Sequence, residues 1–228
     1  MSRWSGPTAV TVLLAINGGF ADTAGFLGLQ GLFTAHVTGN FVTLGAALVL
    51  GGHGIYAKMV ALPEFVAVVA LARLAGDALR RRQAPVLRIL LAAETVLLIA
   101  FLALAVFFGP FADSDSPSAL LTGFAGIAAM AIQNALQRVH LADQPPTTIM
   151  TGNTTQATLD FVDLMTGRNA GNTAATRARF VRIALSIVYF AAGCAAAALL
   201  YWYVGFWCLI VPVLLAGAAA LIAERNRA

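Results

Sequence analysis

The sequence predicts an all-α integral membrane protein with six full transmembrane helices and two re-entrant or broken Thr-Gly-Asn segments, folded as an inverted repeat. Three observations carry that expectation. Hydrophobic residues make up 60% of the 228 positions and charged residues only 11%, whereas a soluble domain carries about 25% charged residues. The apolar residues come in long runs, and a run of about 20 is what an α-helix needs to cross roughly 30 Å of hydrocarbon. The tripeptide Thr-Gly-Asn occurs twice, at 38–40 and at 151–153.

Six apolar stretches are long enough to cross, at about 8–29, 58–79, 87–108, 118–138, 181–202 and 204–223. The first follows a basic start at Arg3, as a signal peptide would, but it is too long for a signal-peptide core and contains Asn17 and Asp22, so it is kept as a membrane helix. Two further stretches, 36–51 and 147–165, are shorter or more polar, and each contains the repeated tripeptide.

Self-similarity extends beyond the tripeptide. Ala15-Ile16-Asn17 parallels Ala131-Ile132-Gln133 upstream, and Leu74-Ala75-Gly76 parallels Ala191-Ala192-Gly193 downstream. Matches in the same order point to duplication, with a first repeat at 1–109 and a second at 110–228.

Charge decides the expected topology. The net charge is +4 and the pI about 9.6, but the basic residues sit between apolar runs, where they set orientation, so no nucleic-acid partner is expected. If the Thr-Gly-Asn stretches crossed fully, no orientation would keep both the Arg80-Arg81-Arg82 cluster and the Arg168 to Arg182 loop in the cytoplasm. If both stretches dip in and return, six crossings remain and both termini lie in the cytoplasm, with Asp113 and Asp115 outside; only Lys58 disagrees. Three crossings per half invert the second copy, an arrangement that recurs in transporters.

These residues also carry a resemblance. Asn17-Gly18-Gly19-Phe20-Ala21-Asp22-Thr23-Ala24-Gly25-Phe26, Phe33-Thr34-Ala35-His36-Val37-Thr38-Gly39-Asn40 and Thr148-Ile149-Met150-Thr151-Gly152-Asn153 resemble the YoaK-like family of bacterial inner-membrane proteins of unknown function. The resemblance implies several membrane helices and a bacterial inner-membrane location. It brings no substrate or reaction.

The candidate solute-binding residues are Thr38, Gly39, Asn40, Thr151, Gly152 and Asn153, with Asn17, Gln133 and Asn134 beside them. Threonine and asparagine offer donors and acceptors, and glycine lets the chain turn or approach a solute; a helix cap followed by an amphipathic stretch explains the same pattern. Asp22 and Glu64 are possible proton or ion sites, since an ionisable group at membrane depth needs a partner or a water-filled cavity. Glu94 is equally deep, and Pro63 before Glu64 frees a backbone carbonyl. Arg73 and Asp77 stand at i and i+4 and pair as structure. Gly18, Gly19, Gly25 and Gly28 give the first helix a small packing surface, or else Asn17-Gly18-Gly19 forms a local break lining a path.

No P-loop, metalloprotease motif or nucleophile elbow occurs, and Cys194 and Cys208 lie alone in apolar runs, so no metal or cofactor is expected. His36, His53 and His140 are scattered and read as structural. The expected function is a small-solute transporter or channel, set against a membrane-embedded enzyme on a lipid-soluble substrate or a non-transporting scaffold. The expected partners are the lipid bilayer, a small polar or weakly charged solute and a possible homo-oligomer.

Overall fold

The computed structural model describes residues 6–168 and 172–225, and every regular element among them is helical. In chain order these are α1 (Gly6–Gly28), α2 (Gly39–Leu50), α3 (Ile55–Arg81), α4 (Val86–Phe108), α5 (Pro117–His140), α6 (Met150–Thr166), α7 (Thr173–Val204) and α8 (Ile210–Arg225), with a 3₁₀ turn (Gly205–Leu209) between the last two. Four helical stretches are each long and apolar enough to cross a membrane: Thr8–Gly28, Ile55–Arg81, Val86–Phe108 and Pro117–His140. A fifth, Thr173–Ala223, runs 51 residues through the 3₁₀ turn. Leu50, Leu74, Val96 and Trp202 are among many large apolar side chains left exposed on the outer surface. A water-soluble domain rarely leaves so much contiguous apolar surface open. The chain is therefore a multi-pass membrane protein whose helices face the lipid bilayer.

Local signals explain most boundaries. At the start of α5, Ser116 accepts a hydrogen bond from the Ala119 N–H and Pro117 occupies the first turn, the arrangement that satisfies free N–H groups at a helix start. α7 begins at Thr173, well before the apolar run at 181, because Arg177, Arg179 and Arg182 are good helix formers and extend it. The Asn17-Gly18-Gly19 break does not form: α1 continues without interruption to Gly28. Its glycines serve packing instead. A Cβ on Gly19 would run into the Phe190 carbonyl of α7, and a Cβ on Gly193 would run into the Ile16 carbonyl of α1. The two backbones touch there, and only glycine at both positions permits it.

The chain reverses at Gly205, where φ is 55° and ψ is −140°, a conformation that favours glycine. Phe206 packs against Gly28 at the end of α1, while Ala219 clusters with Val10 and Leu14 near its start. α8 therefore runs back along α1. The principal neighbours follow a regular scheme: α1 lies against α7 and α8, α5 against α3 and α4, α2 against α3, α6 against α7, and α4 meets α8. Exchanging α1–α4 for α5–α8 maps this scheme onto itself.

Two apolar clusters stack along the helices. One holds Val10, Leu14, Leu90, Leu91 and Leu136, and the other Phe20, Ala24, Leu98, Phe101, Ile127 and Met130. Asn17, Glu94 and Gln133 are fully buried and fall between them in sequence on α1, α4 and α5. A thin polar layer thus separates two apolar ones.

Candidate functional site

The polar layer is a closed network. Asn17 Nδ2 donates to Glu94 Oε1 (2.9 Å) and to Gln133 Oε1 (2.8 Å). Gln133 Nε2 donates to the Leu14 carbonyl (2.9 Å) and to Thr147 Oγ1 (3.0 Å). Two oxygens, Asn17 Oδ1 and Glu94 Oε2, have no partner among the described residues. All three side chains are fully buried, so the network ties α1, α4, α5 and the segment before α6 together without opening to a solute.

Beyond Gly28 the chain folds back beside α1. The Asp22 carboxylate accepts the Ala35 N–H (2.7 Å) and the His36 N–H (3.3 Å), and His36 Nδ1 lies 2.6 Å from its second oxygen. The partner that Asp22 needs at this depth is thus the imidazole fourteen residues on. Asp22 favours the imidazolium through this hydrogen bond and raises the pKa of His36 above its ordinary value, against the opposing effect of burial. The His36 ring also meets Phe33 and Phe190 edge-on. Asn40 closes the segment: its Oδ1 accepts the Phe33 N–H and its Nδ2 donates to the Phe33 carbonyl, both at 2.9 Å.

The segment between α5 and α6 is built alike. Asn153 Nδ2 donates to the Pro146 carbonyl (2.8 Å), seven residues earlier, as Asn40 does to Phe33. Thr148 Oγ1 donates to Asn134 Oδ1 (2.7 Å), and Asn134 Nδ2 to the Met130 carbonyl (2.9 Å). Ser186 of α7 donates to the Pro146 carbonyl at 3.2 Å, and Gln137 Nε2 donates to the Leu141, Gln144 and Pro145 carbonyls. The turn after α5 is thereby fixed by side chains from α5, α6 and α7.

The two segments meet at one cavity of about 630 Å³, within the usual size range of small-molecule sites. Its walls are the 35–38 and 148–151 segments, α3 through Leu62, Phe65, Val69 and Arg73, and α5 through Asn134, Ala135, Arg138 and Val139. Of the nine residues that the sequence marks for solute binding, Thr38, Thr151 and Asn134 line this cavity. Asn40 and Asn153 are buried and turn their amides onto their own segments, Gly39 and Gly152 lie outside the lining, and Asn17 and Gln133 belong to the sealed layer. His36, which sequence reasoning set aside as structural, lines the cavity. Its place two residues before Thr38 was the available signal.

The remaining charged groups have structural partners or stand apart. Neither Asp22 nor Glu64 lines the cavity, and Glu64 Oε2 is buried without a partner among the described residues. Lys58, the one cation at odds with the charge rule, is 4% exposed, and its Nζ donates to the carbonyls of His53 (2.7 Å) and Gln30 (3.4 Å). It pins the start of α3 to the end of α1. Arg73 Nε lies 3.4 Å from Asp77. Asp160 of α6 takes two hydrogen bonds from Arg179, at 2.8 and 2.6 Å, and one from Gln156 at 2.8 Å. Those donors, Arg179 first, hold its carboxyl below the usual aspartate range. Among the described residues no three His, Cys, Asp or Glu side chains gather as a metal site would require.

The fold is thus that of an all-helical membrane protein with an open cavity between α3, α5 and the two segments. A model of the family described as "Protein of unknown function (DUF1275)" matches residues 10–222, and the chain belongs to that family. No curated protein and no solved structure matches the chain.

Proposed function

We propose that this protein is a small-solute transporter or channel of the bacterial inner membrane, working through the cavity between the 35–38 and 148–151 segments. One observation carries the reading: each half of the chain contributes one helix and the segment that leads up to the threonine of its Thr-Gly-Asn to the same space of about 630 Å³. Opposite-facing halves around one central site provide two equivalent ways of opening it. Of the carboxylates that an embedded enzyme would use, none lines this cavity, and a scaffold has no need of the space.

In this reading the chain crosses six times, both termini are cytoplasmic, and residues 1–109 and 110–228 are inverted repeats. The symmetric scheme of helix neighbours supports the repeat. Re-entry of α2 is supported by its 12 residues, about 18 Å at 1.5 Å per residue, against roughly 30 Å of hydrocarbon. The Lys58 bonds support it too, because they hold the end of α1 and the start of α3 at one end of the molecule. The 51-residue stretch counts as two crossings. A single helix of that length would measure about 76 Å.

The test is solute uptake into liposomes containing the purified protein, over a panel of small solutes. Filling the cavity with Ala135→Trp should abolish uptake while the protein still elutes as a folded species. Uptake unchanged by that substitution, or no uptake of any solute, would overturn the transport reading.

A further inference from the structure

Among the described residues, three ionisable side chains line the cavity, His36, Arg73 and Arg138, and no carboxylate does. Two of them are already matched, His36 by Asp22 at 2.6 Å and Arg73 by Asp77 at 3.4 Å. Arg138 is not: exposed at the rim of the cavity, its guanidinium has no ion pair and no hydrogen bond among the described residues. The exposed hydroxyls of Thr38 and Thr151 on the facing segments also have no acceptor among the described residues. α2 and α6 both begin at the cavity, so the positive ends of two helix dipoles add to the same sign.

We propose that the cavity takes an organic monoanion, its carboxylate held by Arg138 and the two threonine hydroxyls and its apolar body lying against Leu62, Phe65 and Val69. A guanidinium and a carboxylate match as a two-pronged, charge-assisted pair. The apolar wall selects among anions. A strongly hydrated dianion such as sulfate would lose its water for too few donors, and a halide would leave most of the space unfilled. The competing account of Arg138 is that it sits at the end of α5 only to orient the chain. That account predicts no ligand.

The proposal rests on the same cavity as the transport reading, and ligand binding tests it separately from movement across a membrane. Calorimetric titration of the purified protein in detergent would compare benzoate and hexanoate with neutral benzamide and with sulfate. Benzoate or hexanoate should bind, benzamide should bind at least tenfold more weakly, and sulfate should not compete. Arg138→Gln should weaken carboxylate binding roughly ten- to a hundredfold, the scale of one charge-assisted contact, and Arg138→Lys should recover part of it. Arg82→Gln, away from the cavity, should change nothing, and unaltered melting of each variant shows that it is folded. Equal binding of benzamide, no effect of Arg138→Gln, or no binding of either carboxylate overturns the anion site. Carboxylate binding without uptake into liposomes upholds the site and sinks the transporter, whereas uptake of neutral solutes without carboxylate binding does the reverse.

Discussion

Asn17 donates its amide to Glu94 across 2.9 Å, at the level where α1, α4 and α5 pass from one apolar cluster to the other. The same amide serves Gln133, so removing it leaves two buried acceptors unmet. Asn17→Ala should cost about 3 kcal/mol, read as a lower melting temperature in detergent. Glu94→Gln retains an oxygen for Asn17 and should cost under about 1 kcal/mol. Similar losses from the two changes would mean that the charge on Glu94, not the hydrogen bond, holds the layer.

Asn40 and Asn153 are two separate clamps, each fastened to the backbone seven residues before it. Their substitutions by alanine should therefore lower stability additively, by about 1 kcal/mol for each hydrogen bond lost. Asn40→Ala should lose more, because Asn40 makes two such bonds to Phe33. Ligand bound per folded molecule should stay the same in both variants and in the double variant. A large loss of binding in either single variant would place the asparagines at the ligand after all.

The Asp22–His36 pair sets the expected sign of a pH dependence of stability. Because the imidazole pKa is raised in the folded protein, its contribution is complete below the unfolded value of about 6.5 and is lost as pH rises through the folded value. Melting temperature should fall over that range in the native protein and change less in Asp22→Asn and His36→Gln. Parallel pH profiles for all three would show that the pair does not titrate there.

Charge and the Lys58 anchor together fix an expected topology. In a Cys194→Ala, Cys208→Ala background, single cysteines at the exposed positions Asp113 and Asn172 should react with a membrane-impermeant maleimide from opposite sides. Asp113→Cys should label in intact cells, and Asn172→Cys only after the membrane is opened. Labelling of both from outside would end the six-crossing arrangement.

Much of the helical framework was legible because a membrane helix must be apolar over its whole length, which no local accident imitates. The start of α7 was not, since Arg177, Arg179 and Arg182 read as a loop by charge although arginine favours helix, and the partner of Arg179, Asp160, lies on another element. The repeated tripeptide pointed to two segments that meet at one cavity, but not to which of their side chains face it. An asparagine that fastens its own backbone and one that meets a ligand look identical in sequence, and the threonines beside them line the space. Asn17 and Glu94 are 77 positions apart, and no spacing rule joins them. Lys58 seemed misplaced only because its acceptors, the carbonyls of Gln30 and His53, carry no sequence signal.

The glycine contact between α1 and α7 bears on how the protein is made. Gly19 meets Phe190 and Gly193 meets Ile16, so α1 finds this neighbour only after α2 to α6 have been synthesised. Until then the Gly19 face lacks its neighbour, and only the bonds of Asp22 to Ala35 and His36 and of Asn17 to Glu94 are available to hold α1. Residues 1–109 expressed alone should accordingly be inserted yet degraded, and co-expression with residues 110–228 should rescue them, the two fragments completing each other in the bilayer.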